Sequence, residues 1–322
     1  MESTREPILQ VEHLKKYFDS GTHVLARSKD HIKAVDDVSF QVQRGSTFAL
    51  VGESGCGKST IARLLLRLIT ATDGNAIFEG KDLFTLPNSE MRAMRRHIQM
   101  IFQDPYSSLN PRWQINKIIA EPLETHGIGT RAEQKGAVEH MLRTVGLAKD
   151  SGTRYAHEFS GGQRQRIGIA RALALNPDFI VADEAVSALD VSVQAQVINL
   201  LQEMKEKYHL TYLFISHDLA VILNVCDRVG VMYLGRIVEM ADKKTLFSQP
   251  LHPYTQALLS AAPQIGKRGV EQVLSGEVPS PISPPKGCAF HPRCPHAKEC
   301  CKEHPPMVSL PDGRQIACWM YA

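Results

Sequence analysis

One short segment limits what this chain can fold into more than any other part of its sequence. Its residues are, in order, Gly52, Glu53, Ser54, Gly55, Cys56, Gly57, Lys58 and Ser59. Together they fit the pattern G-x-x-x-x-G-K-[ST], with the apolar run Thr47 to Val51 before it and the amphipathic run Thr60 to Ile69 after it. Glycines let the backbone wrap an anion, and N–H groups at a helix N-terminus point at it. The segment therefore predicts a phosphate-binding loop in an α/β fold, with a chance match as the alternative.

The end of this loop carries the side chains that a bound nucleotide requires. Lys58 is predicted to reach the β- and γ-phosphates, and the Ser59 hydroxyl is predicted to ligate Mg²⁺, with Thr60 beside it in the cradle. Cys56 precedes the predicted helix, and the positive end of a helix lowers the pKa of a thiol. We therefore expect alkylation of Cys56 to inhibit hydrolysis and bound ATP to protect against it.

Length, charge and apolar content indicate a globular protein of about two domains. The chain has 322 residues, 43% of them hydrophobic, and a formal net charge of +3. This charge is too small to indicate nucleic-acid binding. Apolar runs such as Ile61 to Ile69 are interrupted by arginines and fall short of the roughly 18 apolar residues that span a membrane. Residues 1–6 lack the apolar core of a signal peptide, so we expect a cytosolic protein in which disulfides are disfavoured.

Apolar strand patterns alternate with helical patterns along the chain, which predicts a parallel sheet with crossover helices. The predicted strands are Ile8–Val11, Val38–Val42, Thr47–Val51, Ile98–Phe102, Phe179–Ala182, Tyr212–Ile215 and Val229–Tyr233. The predicted helices include Ile115–Glu124, Arg131–Val145 and one that Asp190 caps. Residues 111–175 are predicted to form an inserted helical lobe, and the polar stretch Asp19 to Lys33 a long loop. From about Pro279 the chain is rich in Pro, Gly and Cys, which indicates a small appended module.

Two acidic side chains end one of the predicted strands. Asp183 and Glu184 follow the apolar run Phe179 to Ala182 directly. In a chain with a phosphate-binding loop, Asp183 is placed to hold Mg²⁺, directly or through water. Glu184 is placed to orient and deprotonate an attacking water molecule. Without that loop, two acids after an apolar run would be unremarkable.

A second anion cradle is predicted at the start of another helical pattern. Its residues are Ser160, Gly161, Gly162 and Gln163. A serine N-cap followed by glycines leaves N–H groups open at a positive helix end, although an ordinary cap is the commoner meaning of such a sequence. One γ-phosphate does not need two cradles from one chain, which suggests that this one serves a partner's nucleotide. His217 and Gln103 each follow a predicted strand and would lie at the sheet edge where α/β proteins bind ligands.

In this order the motifs resemble those of the nucleotide-binding subunits of ATP-binding cassette (ABC) transporters. The resemblance extends from about Ile8 to Gly266. The matching motifs are Walker A (Gly52–Ser59), Q-loop (Gln103), signature (Ser160–Gln163), Walker B (Phe179–Asp183, then Glu184), D-loop (Ser187–Asp190) and H-loop (His217). The resemblance implies an α/β P-loop NTPase core, of the ABC ATPase type, with an inserted α-helical subdomain. It also implies a small Cys-rich C-terminal module.

The resemblance also implies what these residues do. Catalysis would fall to Glu184, His217 and Gln103, and Mg²⁺ to Ser59, Asp183 and Gln103. ATP would contact the whole Walker A segment and Thr60, with the signature residues contributed to a neighbour's nucleotide. An aromatic residue early in the chain stacks on adenine in this family; Tyr17 is the first candidate and Phe18 the second.

Three segments resemble the oligopeptide/dipeptide importer ATPases in particular. They are residues 250–259, residues 276–281, and Ile101–Pro105 together with Ser108–Pro111. This implies an ABC ATPase domain over residues 1–266 and an oligopeptide-transporter-type region over 267–322. ATP-driven pairing with a second, related but distinct ATPase chain would drive two transmembrane permease subunits at the cytoplasmic face of the membrane. An extracytoplasmic solute-binding protein would deliver the cargo, and no nucleic-acid partner is expected.

The cargo is less closely defined by the sequence than the ATPase is. A di- or oligopeptide is the first expectation, and importers of nickel, glutathione and some oligosaccharides share the resemblance. Two other classes stay open as alternatives. A soluble ABC-type ATPase acting on DNA or ribosomes would typically carry long coiled coils or two cassettes. A regulatory module that holds ATP without turnover is disfavoured by Glu184 and His217.

The sequence departs from the family pattern at three places. Ala185 stands where a proline almost always follows the Walker B acids, so the turn toward the D-loop is expected to be looser. Both acids are present, and we expect hydrolysis to survive. Phe159 replaces the usual leucine before the signature. Cys300 and Cys301 are adjacent where one ligand is expected.

Five cysteines lie close together near the C-terminus, namely Cys288, Cys294, Cys300, Cys301 and Cys318. Four thiolates could surround one site, and tetrahedral sulfur sites hold zinc or an iron–sulfur cluster. The spacing is not that of a standard zinc finger. Similar tails in peptide-importer ATPases carry a [4Fe–4S] cluster, so the resemblance implies one here. Its ligands would be Cys288, Cys294, Cys300 and Cys318, with Cys301 as the alternative to Cys300; reduced cysteines without metal are the other interpretation.

Overall fold

A computed structural model describes residues 6–19, 31–261 and 276–322 of the chain. The strands are β1 (Pro7–Asp19), β2 (His31–Gln43), β3 (Thr47–Val51), β4 (Asp73–Phe78), β5 (Lys81–Asp82), β6 (Ile98–Ile101), β7 (Phe179–Asp183), β8 (Thr211–Ser216), β9 (Arg228–Tyr233), β10 (Arg236–Asp242), β11 (Val308–Ser309) and β12 (Gln315–Ile316). The helices are α1 (Lys58–Leu65), α2 (Asn88–Met94), α3 (Ile115–Thr125), α4 (Arg131–Thr144), α5 (Gly161–Leu173), α6 (Val191–Tyr208), α7 (Leu219–Val225), α8 (Lys243–Ser248) and α9 (Pro253–Ser260). Short 3₁₀ turns cover Lys149–Thr153, Ala156–Glu158, His291–Arg293 and Glu299–Lys302.

These elements form two units, which are described separately. Among the described residues, the first unit takes in 6–19, 31–43, 47–85, 216–261 and 276–322, and the second takes in 44–46 and 86–215. In neither unit do the described residues include a helix with the length and apolar character needed to cross a membrane.

The first unit contains two groups of paired strands. One is an antiparallel sheet in the order β2-β1-β4-β5. In the other, β3 pairs in parallel with β9, and β10, β12 and β11 continue from β9 in antiparallel fashion. Every residue of β3 is buried, as expected for a strand that is covered on both faces. The phosphate-binding segment therefore leaves a fixed strand and enters helix α1.

The second unit is built on the parallel strands β6, β7 and β8. Ile98 lies opposite Phe179, and Phe179 lies opposite Thr211. All residues of β7 and β8 are buried. Side chains fix where the helices of this unit begin: Thr130 and Glu133 form a capping box on α4, and Asp190 accepts the Val193 N–H at the start of α6.

All the predicted strands are present, but several boundaries differ. The predicted loop Asp19 to Lys33 begins too early and ends too late, because β1 continues through Asp19 and β2 begins at His31; residues 20–30 lie outside the described ones. The helix predicted for Thr60 to Ile69 covers Lys58–Leu65 instead. It ends there because Arg67 adopts a left-handed conformation with φ +51°, which a helix cannot continue.

Candidate nucleotide-binding site

Two positions of the phosphate-binding segment accept glycine only. Gly52 has φ +153° and Gly57 has φ +108°, both in the region that L side chains rarely adopt. A Cβ atom at Gly52 would collide with the carbonyl oxygen of Met232, and one at Gly57 with that of Ala34. The loop is thus packed against neighbouring backbone on one side.

The Lys58 side chain folds back over this loop. Its ammonium group donates to the carbonyl oxygens of Gly52 at 2.8 Å and Glu53 at 3.0 Å, and it lies 3.6 Å from the Cys56 sulfur. The residue is only 4% exposed. A phosphate oxygen carries more negative charge than a carbonyl oxygen and makes a stronger charge-assisted hydrogen bond. The ammonium group is therefore held where an entering phosphate could take over as its acceptor.

The prediction of a low thiol pKa at Cys56 is wrong. Burial raises the pKa of Cys56 above its ordinary value, and the neighbouring Lys58 ammonium opposes that rise only in part. The thiol is 4% exposed. Desolvation disfavours the thiolate here more than the helix end favours it. Cys56 is therefore a buried loop residue, and its raised pKa argues against a reactive thiolate at this position.

Glu53 is held by groups that sequence reasoning did not connect with the loop. Its backbone N–H donates to the Tyr254 hydroxyl oxygen at 3.0 Å. Its carboxylate accepts two hydrogen bonds from the guanidinium of Arg293, at 3.0 and 3.1 Å. Tyr254 lies in the segment 250–259, which resembles peptide-importer ATPases. No local sequence pattern predicts that it contacts the loop. Arg293 carried no sequence signal at all.

The two candidate adenine-stacking residues differ in their surroundings. The Tyr17 hydroxyl donates to Asp36 at 2.5 Å, and Arg236 donates two hydrogen bonds to the other oxygen of that carboxylate at 3.0 and 2.8 Å. Burial and the bond to Asp36 raise the pKa of Tyr17. The Phe18 ring is 37% exposed and has the Lys16 ammonium 4.8 Å from its centroid. The structure thus fixes Tyr17 through its hydroxyl and leaves Phe18 the more open ring.

In the second unit, Gln103 and Glu184 are brought into contact although 81 residues separate them. The Gln103 amide donates to the Glu184 carboxylate at 2.6 Å, and the Glu184 N–H donates to the carbonyl of Ile215 at 2.9 Å. Glu184 has φ +45°, an uncommon conformation for a residue with a side chain. Asp183, the last residue of β7, is 4% exposed. The structure therefore pairs two of the three predicted catalytic residues.

The turn after Glu184 is hydrogen-bonded although Ala185 replaces the family's proline. Ser187 donates to the Glu184 carbonyl from both its N–H and its hydroxyl, each at 3.1 Å. Ala185 itself is 1% exposed. The turn is thus closed by these two bonds and by packing.

The signature residues form a helix cap at the start of α5. The Ser160 hydroxyl accepts the Gln163 N–H at 3.3 Å, and the Gln163 side chain accepts the Ser160 N–H at 3.0 Å. This reciprocal arrangement is a capping box. Gly162 is buried, while Ser160, Gly161 and Gln163 are exposed. The cap and the predicted role toward a partner's nucleotide are compatible, because these exposed residues lie at the positive end of the helix.

His217, the third predicted catalytic residue, directly follows β8 and is exposed. It belongs to the first unit, as does the phosphate-binding segment. The next residue, Asp218, caps helix α7 by accepting the Ala220 N–H at 2.8 Å. The backbone that carries His217 is therefore fixed on both sides, by β8 and by α7.

The C-terminal cysteines line one cavity of about 40 Å³, together with residues such as His252 and Phe290. Burial, with the nearby thiols of Cys301, Cys318 and Cys294, raises the pKa of Cys288 to about 11. Cys300 is exposed. Over the part of the chain that the structure describes, however, no group of three or more His, Cys, Asp or Glu side chains is arranged to hold a metal ion. The structure does not support the predicted iron–sulfur cluster.

Comparison with known proteins gives matches that cover almost the whole chain. Residues 35–187 match the ABC transporter family and residues 238–301 match the oligopeptide/dipeptide transporter C-terminal region. The oligopeptide transport ATP-binding protein AppF of Bacillus subtilis (strain 168) is 52% identical, with 99% of each chain covered.

Solved structures match over the larger part of the chain. The ATP-binding cassette MJ0796, solved as a post-hydrolysis dimer bound to ADP and phosphate, is 25% identical with a TM-score of 0.65, covering 73% of this chain and 98% of that one. The structure of cbiO1 from Clostridium perfringens, part of the ABC transporter complex cbiONQ, shares the fold at 24% identity and a TM-score of 0.66. It covers 76% of this chain and 92% of that one.

Proposed function

Because the chain belongs to the ABC transporter family of ATP-binding proteins, we propose that it binds and hydrolyses Mg²⁺-ATP to energise a peptide importer. The observation that carries the nucleotide-binding step is the glycine-only loop with the Lys58 ammonium held over it. The cargo is inferred from the relative in Bacillus subtilis, which is named for oligopeptide transport, and from the C-terminal match. A di- or oligopeptide is the cargo that fits both.

We assign the contacts to the phosphates, the adenine and Mg²⁺ in turn. The backbone of residues 52–57 and Lys58 would bind the phosphates, with Ser59 and Thr60 at the start of α1 completing the cradle. Tyr17 would stack on adenine, and Phe18, which is the more open ring, is the other residue able to do so. Ser59, Asp183 and Gln103 have the oxygen donors that Mg²⁺ prefers, and the ion would offset the charge of the phosphates.

The proposed hydrolytic step uses the contact between Gln103 and Glu184. The Glu184 carboxylate takes a proton from the attacking water, and the Gln103 amide holds that carboxylate in place. His217 donates a hydrogen bond to the γ-phosphate. Within its own unit, Glu184 is fixed through its N–H, which donates to the Ile215 carbonyl.

We further propose that the active form is a pair of ATPase chains. The signature residues of one chain, Ser160 to Gln163, would complete the nucleotide site of the other, and the partner is proposed to be a related but distinct chain. Closing and opening of the pair would move two transmembrane permease subunits between two states of different ligand affinity. The protein would act at the cytoplasmic face of the membrane, and an extracytoplasmic solute-binding protein would supply the cargo.

The proposed domain organisation keeps residues 1–266 as the ABC ATPase domain. Residues 111–175 would form its inserted helical subdomain, which is supported by the presence there of α3, α4 and α5. Residues 267–322 would form the Cys-rich C-terminal module, of which residues 276–322 are described.

The binding step is tested by replacing Lys58 with alanine. The variant loses a charge-assisted hydrogen bond to phosphate, so we expect ATP to bind roughly 10- to 100-fold more weakly, measured by equilibrium dialysis. Arg63→Ala is the matched control, because it removes an exposed cation from the same helix. Unchanged ATP affinity in Lys58→Ala would count against the proposed phosphate site.

We propose an iron–sulfur cluster on the resemblance to peptide-importer ATPases. The cysteines share one cavity but are not arranged to hold a metal ion, so they would have to rearrange around the cluster. We propose Cys288, Cys294, Cys301 and Cys318 as its ligands, with Cys301 in place of the exposed Cys300. Cys301 is the less exposed member of the adjacent pair. Iron and acid-labile sulfide, assayed after anaerobic purification, should be present in the protein and in Cys300→Ser but lost in Cys301→Ser. Iron-free anaerobic protein would refute the proposal.

A further inference from the structure

Arg293 connects the cysteine-rich segment to the phosphate-binding loop. It lies in a 3₁₀ turn between Cys288 and Cys294, 240 residues away from Glu53. Its side chain is 6% exposed, and its two terminal nitrogens donate to separate oxygens of the Glu53 carboxylate at 3.0 and 3.1 Å. One of them also donates to the Tyr233 hydroxyl at 3.3 Å. A bidentate pair of this kind fixes both the position and the orientation of the carboxylate.

Glu53 is consequently held through all three of its polar groups. The carboxylate is bound by Arg293, the N–H donates to the Tyr254 hydroxyl, and the carbonyl accepts from the Lys58 ammonium at 3.0 Å. Tyr233, Tyr254 and Phe290 pack their rings against one another beneath this contact, with centroid separations of 4.6–5.4 Å. The loop is thus anchored on an aromatic cluster that the cysteine-rich segment shares through Phe290.

A second part of the C-terminal region also borders the loop. Residues 278–281 line a cavity of about 230 Å³ together with the loop residues 53–56. The C-terminal region therefore borders the loop at two separate places.

The ion pair between Arg293 and Glu53 affects ligand binding because the Glu53 carboxylate is negatively charged. A carboxylate in the second position of a phosphate-binding loop repels a polyanion, and the repulsion grows with the number of phosphate charges. The Glu53 side chain is 25% exposed, so it lies partly open on the loop. A guanidinium paired with it cancels most of that field.

We propose that Arg293 is a positioning residue of the nucleotide site, through which the cysteine-rich segment neutralises and fixes Glu53 and so sets the affinity of the loop for nucleoside triphosphates. This inference rests on the proposed ATP-binding function and extends it to a region outside the ABC ATPase domain. It makes nucleotide affinity depend on whether the C-terminal segment is folded against the loop.

The experiment measures the binding of ATP, ADP and AMP to the full chain by equilibrium dialysis. Arg293→Met should weaken ATP binding by about 10- to 100-fold, ADP binding by less and AMP binding least, because the uncompensated carboxylate acts on phosphate charge. Glu53→Gln/Arg293→Met removes both charges of the pair and should restore ATP affinity to within about threefold of the unaltered chain. Lys302→Met is the matched control, since it breaks an exposed ion pair in the same segment.

Two results distinguish this role from a general structural one. They are a loss of affinity that is larger for ATP than for ADP and AMP, and the recovery of ATP affinity in the double variant. If Arg293→Met weakens all three nucleotides equally, or if the double variant stays as weak as Arg293→Met, the inference is overturned. Should Arg293→Met fail to fold, Glu53→Gln alone is expected to tighten ATP binding, and equal or weaker binding would overturn it. Failure of the unaltered chain to bind ATP would contradict the proposed function itself, whereas normal binding by a folded Arg293→Met contradicts only this inference.

Discussion

Replacing Glu184 with glutamine should slow ATP hydrolysis by about 10²- to 10⁴-fold, which is the usual contribution of a general base. Glutamine has the shape of glutamate but cannot accept a proton from water. The backbone N–H that bonds to Ile215 is unaffected, and the new side-chain oxygen can still accept the hydrogen bond that Gln103 donates at 2.6 Å. The variant should therefore fold normally and keep ATP bound without turning it over.

Phosphate release and ATP retention, measured on the same sample with its partner subunits present, check this prediction. Glu203→Gln is the matched control, because Glu203 is an exposed glutamate on α6. Turnover by Glu184→Gln at the rate of the control would remove Glu184 from the role of base. Loss of ATP binding together with turnover would indicate that Glu184 acts in binding instead.

The features that were predicted correctly from sequence depend on neighbours within a few residues. The strand Thr47–Val51 was predicted with its exact bounds because five apolar or β-branched residues run directly into glycine. The N-caps at Ser160 and Asp190 follow from side chains that bond to an N–H three residues on. Gln103 and Glu184 were each predicted to follow a strand, and they come into contact because those two strands are parallel neighbours.

The features that sequence reasoning missed depend on contacts across long stretches of chain. Glu53 meets Tyr254 and Arg293 across 201 and 240 residues, and no local pattern marks such a pair. The pKa of Cys56 was predicted in the wrong direction because a helix terminus is visible in sequence and burial is not. Helix α1 was predicted four residues too long at its C-terminus, because the apolar pattern does not indicate the left-handed conformation of Arg67.

A second long-range contact gives the largest expected effect on stability. Arg314 and Glu239 form an ion pair at 2.8 Å in which the side chains are 1% and 0% exposed. The carboxylate also accepts the N–H groups of Leu251 and His252, each at 3.0 Å, and the guanidinium donates to the Gln249 carbonyl at 2.6 Å. The pair thus joins β10, the segment before α9 and the C-terminal hairpin of β11 and β12.

Arg314→Met should lower the free energy of unfolding by about 3–5 kcal/mol, because it leaves the Glu239 carboxylate buried without its counter-charge. Glu239→Gln/Arg314→Met should be more stable than Arg314→Met, since the glutamine carries no charge and its oxygen can still accept a backbone N–H. Urea denaturation followed by circular dichroism measures both. Asp73→Asn is the control: it breaks the surface ion pair with Lys15 and should leave the urea midpoint of unfolding unchanged. An Arg314→Met midpoint equal to that of this control would show that the buried pair does not hold the C-terminal hairpin to the first unit.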